Sequence, residues 1–247
     1  MESLSSSWPL APAPVAPAPG EVHVWCSSLA RPPAEVARLL ALLSEDERQR
    51  AGRFRAPRAR DEYVVARGLL RTLLGLCLSC DPRQIAFRHG PQGKPQLPDP
   101  IPLHFNVSHS RGYALFAVSA CGAVGVDLEG LRPFANELDL AERFFCPAEA
   151  AALRAHPEES RREAFVHVWT RKEAFIKACG TGLAHGLERF EVSVPPDEPA
   201  RVLRIEGAEG PARGWSLRAL TPVPGYIGAL AREGHDYRLL CWHWTGE

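Results

Sequence analysis

The chain has 247 residues, with 29 Lys and Arg against 29 Asp and Glu and a hydrophobic fraction of 45%. The balanced charge excludes the global positive field with which a protein holds nucleic acid or an anionic membrane non-specifically. No segment reaches the roughly 20 consecutive apolar residues that a membrane span requires, and the length suffices for one large domain or two smaller ones. We therefore expect a soluble globular protein.

The first segment, residues 1–20, contains the run APAPVAPAPG. It lacks the basic start and continuous apolar stretch of a signal peptide, so we interpret it as a flexible, extended tail. Seven cysteines, an odd number in a chain of this size, indicate reduced thiols and a cytoplasmic location. Cys77 and Cys80 form a C-x-x-C, but without a second C-x-x-C we interpret them as buried thiols rather than a zinc site.

The following elements change from strand to helix and back to strand. The alternation in EVHVWCSSL predicts a strand. Ser44 and Glu47 form a capping box, and the apolar spacing over residues 60–78 predicts a helix. Beyond a turn-rich stretch, HFNVSHS, YALFAVSA and GAVGVDLEG are predicted to be extended.

The second half repeats this order. ELDLAERFFCPAEAAALRA is helical in pattern, a longer helix is predicted over residues 159–179, and strand-like segments follow to the end of the chain. The repetition predicts an α+β fold with an N-terminal lobe over residues 21–122 and a similar C-terminal lobe over residues 123–247. Ligands favour the cleft that would lie between such lobes.

The most informative short segment is GVDLE. On a strand, Asp127 and Glu129 lie two residues apart and project from the same face. Adjacent carboxylates repel unless a proton or a cation lies between them, and a site of hard oxygen ligands suits Mg²⁺. The alternative is an exposed strand with an acidic face.

A third acid lies in the predicted helix VWTRKEAFIKACGTGL. Its charged residues Lys172, Glu173 and Lys177 form a cluster, in which Glu173 is a candidate third metal ligand and the lysines are candidate phosphate contacts. The alternative is that Glu173 and Lys177 form only a surface pair on one helix.

Two further motifs offer phosphate contacts. FNVSHS supplies the hydroxyls of Ser108 and Ser110 and the imidazole of His109 at a strand end, and the absence of a G-x-S-x-G elbow argues against a hydrolase. Residues 93–95, Gly-Lys-Pro, combine close backbone approach with a fixed lysine. The alternatives are a polar strand end and a common surface turn. Neither a P-loop nor a G-x-G-x-x-G motif occurs.

In this order, G-K-P, F-N-V-S-H-S, G-V-D-L-E and W-T-R-K-E-A-F-I-K-A-C-G-T-G-L resemble the motifs of 4'-phosphopantetheinyl transferases of the surfactin-synthetase-activating (Sfp) type. The resemblance implies a pseudo-twofold arrangement of two α/β lobes in a monomeric enzyme. It also implies transfer of phosphopantetheine from coenzyme A to a serine of an apo carrier protein. Recognition of carriers depends on surface shape, so the carrier stays open among fatty acid, polyketide and nonribosomal peptide synthases and a lysine-pathway reductase.

The resemblance further assigns residues to a catalytic and a nucleotide-binding part. The metal ligands for Mg²⁺, or Mn²⁺ in its place, would be Asp127, Glu129 and Glu173, with Glu173 also a candidate base. Lys177 would contact the pyrophosphate, and Lys172 would assist the phosphates or the proton transfer. The residues implied for the nucleotide, including its 3'-phosphate, are Arg58, Gly93, Lys94, Pro95, Asn106, Ser108 and His109. Arg67 and Arg71 are alternatives to Arg58.

A second hypothesis from another class is a non-catalytic module that binds coenzyme A or a related nucleotide. Glu173 discriminates between the two hypotheses. A binding module has no need of a third carboxylate, whereas a metal-dependent transferase has reason to keep all three.

Overall fold

The computed structural model describes residues 8–90, 92–131, 136–180, 186–194, 199–207 and 214–246. The helices are α1 (Pro33–Leu40), α2 (Glu45–Gly52), α3 (Pro57–Leu78), α4 (Glu137–Phe144), α5 (Pro147–Ala155) and α6 (Glu158–Cys179). The strands are β1 (Glu21–Ser28), β2 (Arg88–His89), β3 (Pro95–Gln96), β4 (His104–Ser110), β5 (Tyr113–Ser119), β6 (Val124–Gly130), β7 (Phe190–Val192), β8 (Val202–Ile205), β9 (Trp215–Leu220), β10 (Tyr226–Glu233) and β11 (Arg238–His243). No helix in these ranges has the length and apolar character needed to cross a membrane.

Two sheets, each with three antiparallel strands in the same pattern, form the centre of the molecule. In the first sheet β1 pairs with β5, and β5 pairs with β4. In the second sheet β6 pairs with β10, and β10 pairs with β9. In both halves, two short helices and one 22-residue helix follow the first strand. The predicted α+β fold of two similar lobes is confirmed.

The last strand corrects the predicted lobe boundary. β11 runs parallel to β1, with Glu21 opposite Arg238 and Cys26 opposite His243. Trp242 of β11 stacks on Trp25 with ring centroids 5.7 Å apart. The C-terminal lobe therefore does not extend to residue 247, because β11 belongs to the first sheet. The edge of β1 that β5 does not occupy offers β11 a full set of backbone hydrogen-bond partners.

The N-terminal segment also differs from the prediction. Residues 1–7 lie outside the described ranges, but the chain from Trp8 onward packs along β11 and is not a free tail. The backbone N–H of Ala11 donates to the carbonyl of His243 (2.6 Å), and that of His243 donates to the carbonyl of Pro9 (2.8 Å). An edge strand exposes unsatisfied backbone groups, and this segment satisfies some of them.

Helix α6, the second of the two 22-residue helices, packs closely on β6 and so lies at the interface between the sheets. An added Cβ at Gly125 would lie 2.1 Å from the carbonyl oxygen of Ala174, so only glycine permits this approach. β6 in turn adjoins β4, where the N–H of Val126 donates to Oδ1 of Asn106 (2.8 Å). β4, β6 and α6 therefore meet along one line between the lobes.

Candidate active site

The packed elements β6 and α6 carry the three candidate carboxylates, Asp127 and Glu129 on the strand and Glu173 on the helix. Asp127 is buried, and Glu129 and Glu173 are half-buried. Burial raises the pKa of Glu173, and the negative charges of Asp127 and Glu129 raise it further, while Lys177 opposes this. The charges of both strand acids, Asp127 and Glu129, therefore act on the carboxyl group of Glu173.

Lys177 compensates part of this negative charge. Its Nζ lies 2.6 Å from Oδ1 of Asp127 and donates to Oγ of Ser108 at 3.0 Å. In the described part of the chain, the ion pair of Lys177 is with Asp127 and not with Glu173. The alternative of a simple surface pair along the helix therefore does not describe this lysine.

The donor set fits a hard divalent cation. Oδ2 of Asp127 is buried without a hydrogen-bond partner among the described residues, which is a costly state for a carboxylate oxygen. In those ranges the acids are not already gathered as a group of three metal-ligating side chains. The unpartnered oxygen and two neighbouring carboxylates are nevertheless the ligand type that Mg²⁺ prefers.

A cleft of about 460 Å³ opens beside these acids. Glu173 and Lys177 line it from α6, and residues 93–95 and Asn106 line it from the first lobe. Nζ of Lys94 donates to the carbonyl of Val124 (3.1 Å) and to that of Lys177, and burial lowers the pKa of Lys94 to about 8. Lys94 thereby fixes the Gly-Lys-Pro loop to the second lobe.

A second cavity of about 290 Å³ continues the cleft into the first lobe. The two cavities share residues 93, 95 and 107, and the second adds the cationic or titratable side chains of Arg50, Arg67, His89 and His109. Desolvation and the charge of Lys177 lower the pKa of His109, whereas Glu62 opposes them. The combined cleft has Glu173, Lys94 and Lys177 at one end and further basic groups at the other, which suits a ligand with separated phosphates.

The arginine predicted for the 3'-phosphate is not at this cavity. Arg58 does not line either cavity; its Nε bonds to Glu62 (2.9 Å) and its side chain is 80% exposed. Arg71 is buried against Glu47 (2.6 Å), and Arg67 lines the cavity while also bonding to Glu47 (2.5 Å). The structure supports Arg67 better than Arg58 or Arg71.

Arg50 was missed by the sequence analysis. It lies in α2, lines the second cavity, and has no carboxylate partner in the described ranges. Its guanidinium lies 5.5 Å from the ring centroid of Tyr63. The available signal was a basic residue, Arg50, in the same short helix that the Ser44 and Glu47 capping box begins.

Ser108 has a different position from the one that the resemblance implies. It is buried, its hydroxyl donates to Oδ1 of Asp127 (2.8 Å), and it accepts from the N–H of Leu128 (3.3 Å) and from Lys177. A hydroxyl has one donor and two acceptor positions, and all three are used here. A contact of this side chain with a 3'-phosphate is therefore not supported.

Lys172 is not brought into the cleft. It is fully buried, with Nζ 2.7 Å from Oε2 of Glu149, and it donates to the carbonyls of Leu187 (2.8 Å) and Phe190 (2.7 Å). These partners occupy all three N–H donors of the ammonium group. The position does not support the predicted role of Lys172 with the phosphates or the proton.

Comparisons with known proteins cover both lobes. Residues 123–231 match the family model of the 4'-phosphopantetheinyl transferase superfamily, and residues 31–121 match that of the 4'-phosphopantetheinyl transferase N-terminal domain. The chain is 40% identical over 227 residues to 4'-phosphopantetheinyl transferase HetI of Nostoc sp., covering 91% of this chain and 92% of that protein. It is 31% identical over 203 residues to 4'-phosphopantetheinyl transferase Sfp of Bacillus subtilis, covering 82% and 88%. The chain belongs to the 4'-phosphopantetheinyl transferase superfamily.

Proposed function

We propose that the protein transfers the 4'-phosphopantetheine group of coenzyme A to a serine hydroxyl of an apo carrier protein and releases adenosine 3',5'-bisphosphate. The observation that carries the proposal is the cleft between the lobes. Glu173 and Lys177 line one end of it, where Lys177 pairs with Asp127, and the basic groups around His109 line the other end. Coenzyme A has a pyrophosphate and a separate 3'-phosphate, which match these two ends.

Asp127, Glu129 and Glu173 would hold Mg²⁺, or Mn²⁺ in its place. When bound, the ion would neutralise charge on the pyrophosphate and stabilise the leaving group. The unpartnered Oδ2 of Asp127 supports this assignment, because a cation would satisfy it.

Two side chains of α6, Glu173 and Lys177, act on the attacking hydroxyl and on the pyrophosphate. The carrier serine oxygen forms a bond to the β-phosphorus of coenzyme A, and the bond from that phosphorus to the bridging pyrophosphate oxygen breaks. Glu173, which lines the cleft from α6, accepts the hydroxyl proton. Lys177 supplies positive charge to the pyrophosphate.

The first lobe orients the nucleotide. Residues 93–95 line the cleft next to the reacting end, and Arg50, Arg67 and His109 supply the basic groups for the 3'-phosphate. Fixed phosphates at both ends hold the β-phosphorus in position for the incoming hydroxyl.

The described cysteines are all free thiols. This supports a reducing compartment such as the cytoplasm.

Both lobes of one chain line the cleft, so a monomer suffices for the proposed reaction.

The test is a transfer assay with a panel of apo carriers from fatty acid, polyketide and nonribosomal peptide systems. We expect a Mg²⁺-dependent gain of one phosphopantetheine mass on at least one carrier, detected by intact-protein mass spectrometry, and no gain with excess chelator. Binding of coenzyme A without a mass gain on any carrier contradicts the proposal and favours a binding module.

A further inference from the structure

The contact between β4 and β6 is made by side chains and not by backbone pairing. In the described sheets β4 pairs only with β5, and β6 only with β10. Three β6 amides instead donate to β4 side chains. Val126 donates to Asn106 (2.8 Å), Leu128 to Ser108 (3.3 Å) and Gly130 to Ser110 (3.3 Å). We call Asn106, Ser108 and Ser110 the side-chain ladder.

The ladder follows the two-residue period of both strands. Alternate β4 side chains point to one face, and each receives the N–H of an alternate β6 residue. Short polar side chains thus replace the carbonyl groups of a neighbouring strand and satisfy amides that would otherwise be buried without partners.

Two residues of the side-chain ladder, Ser108 and Ser110, also donate hydrogen bonds to the proposed metal ligands. Ser108 donates its hydroxyl hydrogen to Oδ1 of Asp127 (2.8 Å), and Ser110 donates to Oε2 of Glu129 (2.9 Å). Each serine accepts from the backbone of the residue after the acid that it holds. Each hydroxyl is therefore fixed in direction and in turn fixes one carboxylate.

We propose that Ser108 and Ser110 are positioning residues for the metal-binding carboxylates, and that Ser108 does not bind the 3'-phosphate of coenzyme A. The inference rests on the metal site of the proposed function. Ser108 and Lys177 both occupy Oδ1 of Asp127, so Oδ2 is the oxygen left for an ion. Partners that orient metal ligands in this way raise metal affinity without touching the metal.

Metal binding is the first test. Free Mn²⁺ is measured by electron paramagnetic resonance during titration of the protein in the presence of coenzyme A. We expect Ser108→Ala and Ser110→Ala each to weaken Mn²⁺ binding about tenfold. Ser216→Ala is the matched control, since the hydroxyl of this buried serine bonds to the carbonyl of Arg232 in β10 and to the hydroxyl of Tyr237 in the segment after it. Unchanged Mn²⁺ affinity in both Ser108→Ala and Ser110→Ala, or no Mn²⁺ binding by the unaltered protein, overturns the proposal.

Nucleotide discrimination is the second test. The affinities for coenzyme A and for 3'-dephospho-coenzyme A are measured by calorimetry, without metal. We expect Ser108→Ala to leave their ratio within about twofold of the unaltered protein, because the hydroxyl makes no contact with the 3'-phosphate. A tenfold fall in this ratio overturns the positioning role.

Thermal unfolding controls for misfolding. If Ser108→Ala does not fold, Ser110→Ala carries the metal test, because Ser110 is only half-buried at the end of β4. Neither measurement requires a carrier protein. Failure of transfer to every carrier would contradict the proposed function, while the Mn²⁺ titration would still decide the role of the two serines.

Discussion

The two lobes are built around the same buried ion pair, although only one of them carries the proposed chemistry. In the first lobe Glu47, the third residue of α2, bonds to Arg71 of α3 (2.6 Å). In the second, Glu149, the third residue of α5, bonds to Lys172 of α6 (2.7 Å). Arg71 and Lys172 each lie fourteen residues after the first residue of a 22-residue helix.

The secondary contacts of the two pairs also agree. Both carboxylates accept the N–H of the residue that precedes their own helix, Ser44 before α2 and Cys146 before α5 (3.0 Å each). Arg71 also donates to the carbonyls of Pro82 and Ile85, as Lys172 does to those of Leu187 and Phe190. Each pair ties a short helix, a long helix and the following loop together.

The lobes differ at the positions that face the cleft. The residue after Arg71 is Thr72, whereas the residue after Lys172 is Glu173; four residues further on, Leu76 of α3 corresponds to Lys177 of α6. Strand β1 has no carboxylate after its first residue, whereas β6 has two. The buried ion pair is therefore a structural feature that both lobes share. The candidate site depends on a few positions at which the second lobe has charged residues and the first lobe does not.

The largest loss of transfer rate is expected for a change in β6, which has two acids at positions where β1 of the first lobe has none. Asp127→Ala should lower the transfer rate about a thousandfold or more, because a metal site contributes several kcal/mol to the transition state. Thr72→Ala, at the position in α3 that matches Glu173, should change the rate less than about twofold, since the Thr72 hydroxyl donates to the carbonyl of Gly68 in its own helix. The rates are measured by carrier mass spectrometry. Comparable losses in both variants would break the distinction between the lobes.

The two buried ion pairs predict structural effects of different size. Lys172→Met should lower the free energy of unfolding by about 3–5 kcal/mol, because it leaves the buried carboxylate of Glu149 without its cation. Arg71→Met should lower it by less, because Arg67 still pairs with Glu47. Lys172→Arg, which introduces the cation of the other lobe, should cost only about 1–3 kcal/mol through overpacking. Urea denaturation measures these differences. If folded Lys172→Arg binds Mn²⁺ normally but transfers a hundredfold more slowly, Lys172 has a direct role after all.

The part of the first lobe in nucleotide binding can be tested with two arginines of neighbouring segments. Arg50→Gln should weaken coenzyme A binding about tenfold to a hundredfold, the range for a hydrogen bond to a charged group. Its affinity for 3'-dephospho-coenzyme A should stay the same. Arg58→Gln is the control and should change neither affinity more than about twofold, because this side chain is exposed and pairs with Glu62. Calorimetry measures both affinities, and the reverse order of effects would restore Arg58 to the site.

The smallest predicted effect concerns pH. In the free protein the pKa of His109 is below its ordinary value, so the imidazole is neutral at about pH 8 and gains a proton only in more acidic solution. A protonated imidazole attracts phosphate. The preference for coenzyme A over 3'-dephospho-coenzyme A should therefore rise severalfold from about pH 8 to about pH 6. His109→Gln should flatten this dependence, and a persistent slope in that variant would assign it to another group.

Several features of the site could be predicted because they depend on local geometry. The two-residue period of a strand places Asp127 and Glu129 on one face, and both acids do bond to β4. The order of elements in the two halves predicted two similar lobes. The Ser44 and Glu47 pattern predicted the N-terminal cap of α2.

Other features depended on contacts between distant parts of the chain. Lys172 and Glu173 are neighbours in a charged cluster, yet the helix turns one into the core against Glu149 and the other into the cleft. Arg50 and Arg58 are eight residues apart in one basic stretch, yet Arg50 lines the cavity and Arg58 is exposed and pairs with Glu62.

The sequence by itself determined the periodicities, the caps and the order of the motifs, because these follow from backbone dihedral preferences over a few residues. Only the tertiary structure decided that Ser108 turns to Asp127, that β11 returns to β1, and that Trp8 onward packs on β11. These contacts join residues far apart in the chain. Their formation depends on which buried surfaces and unpaired backbone groups are satisfied together, and no local pattern specifies that.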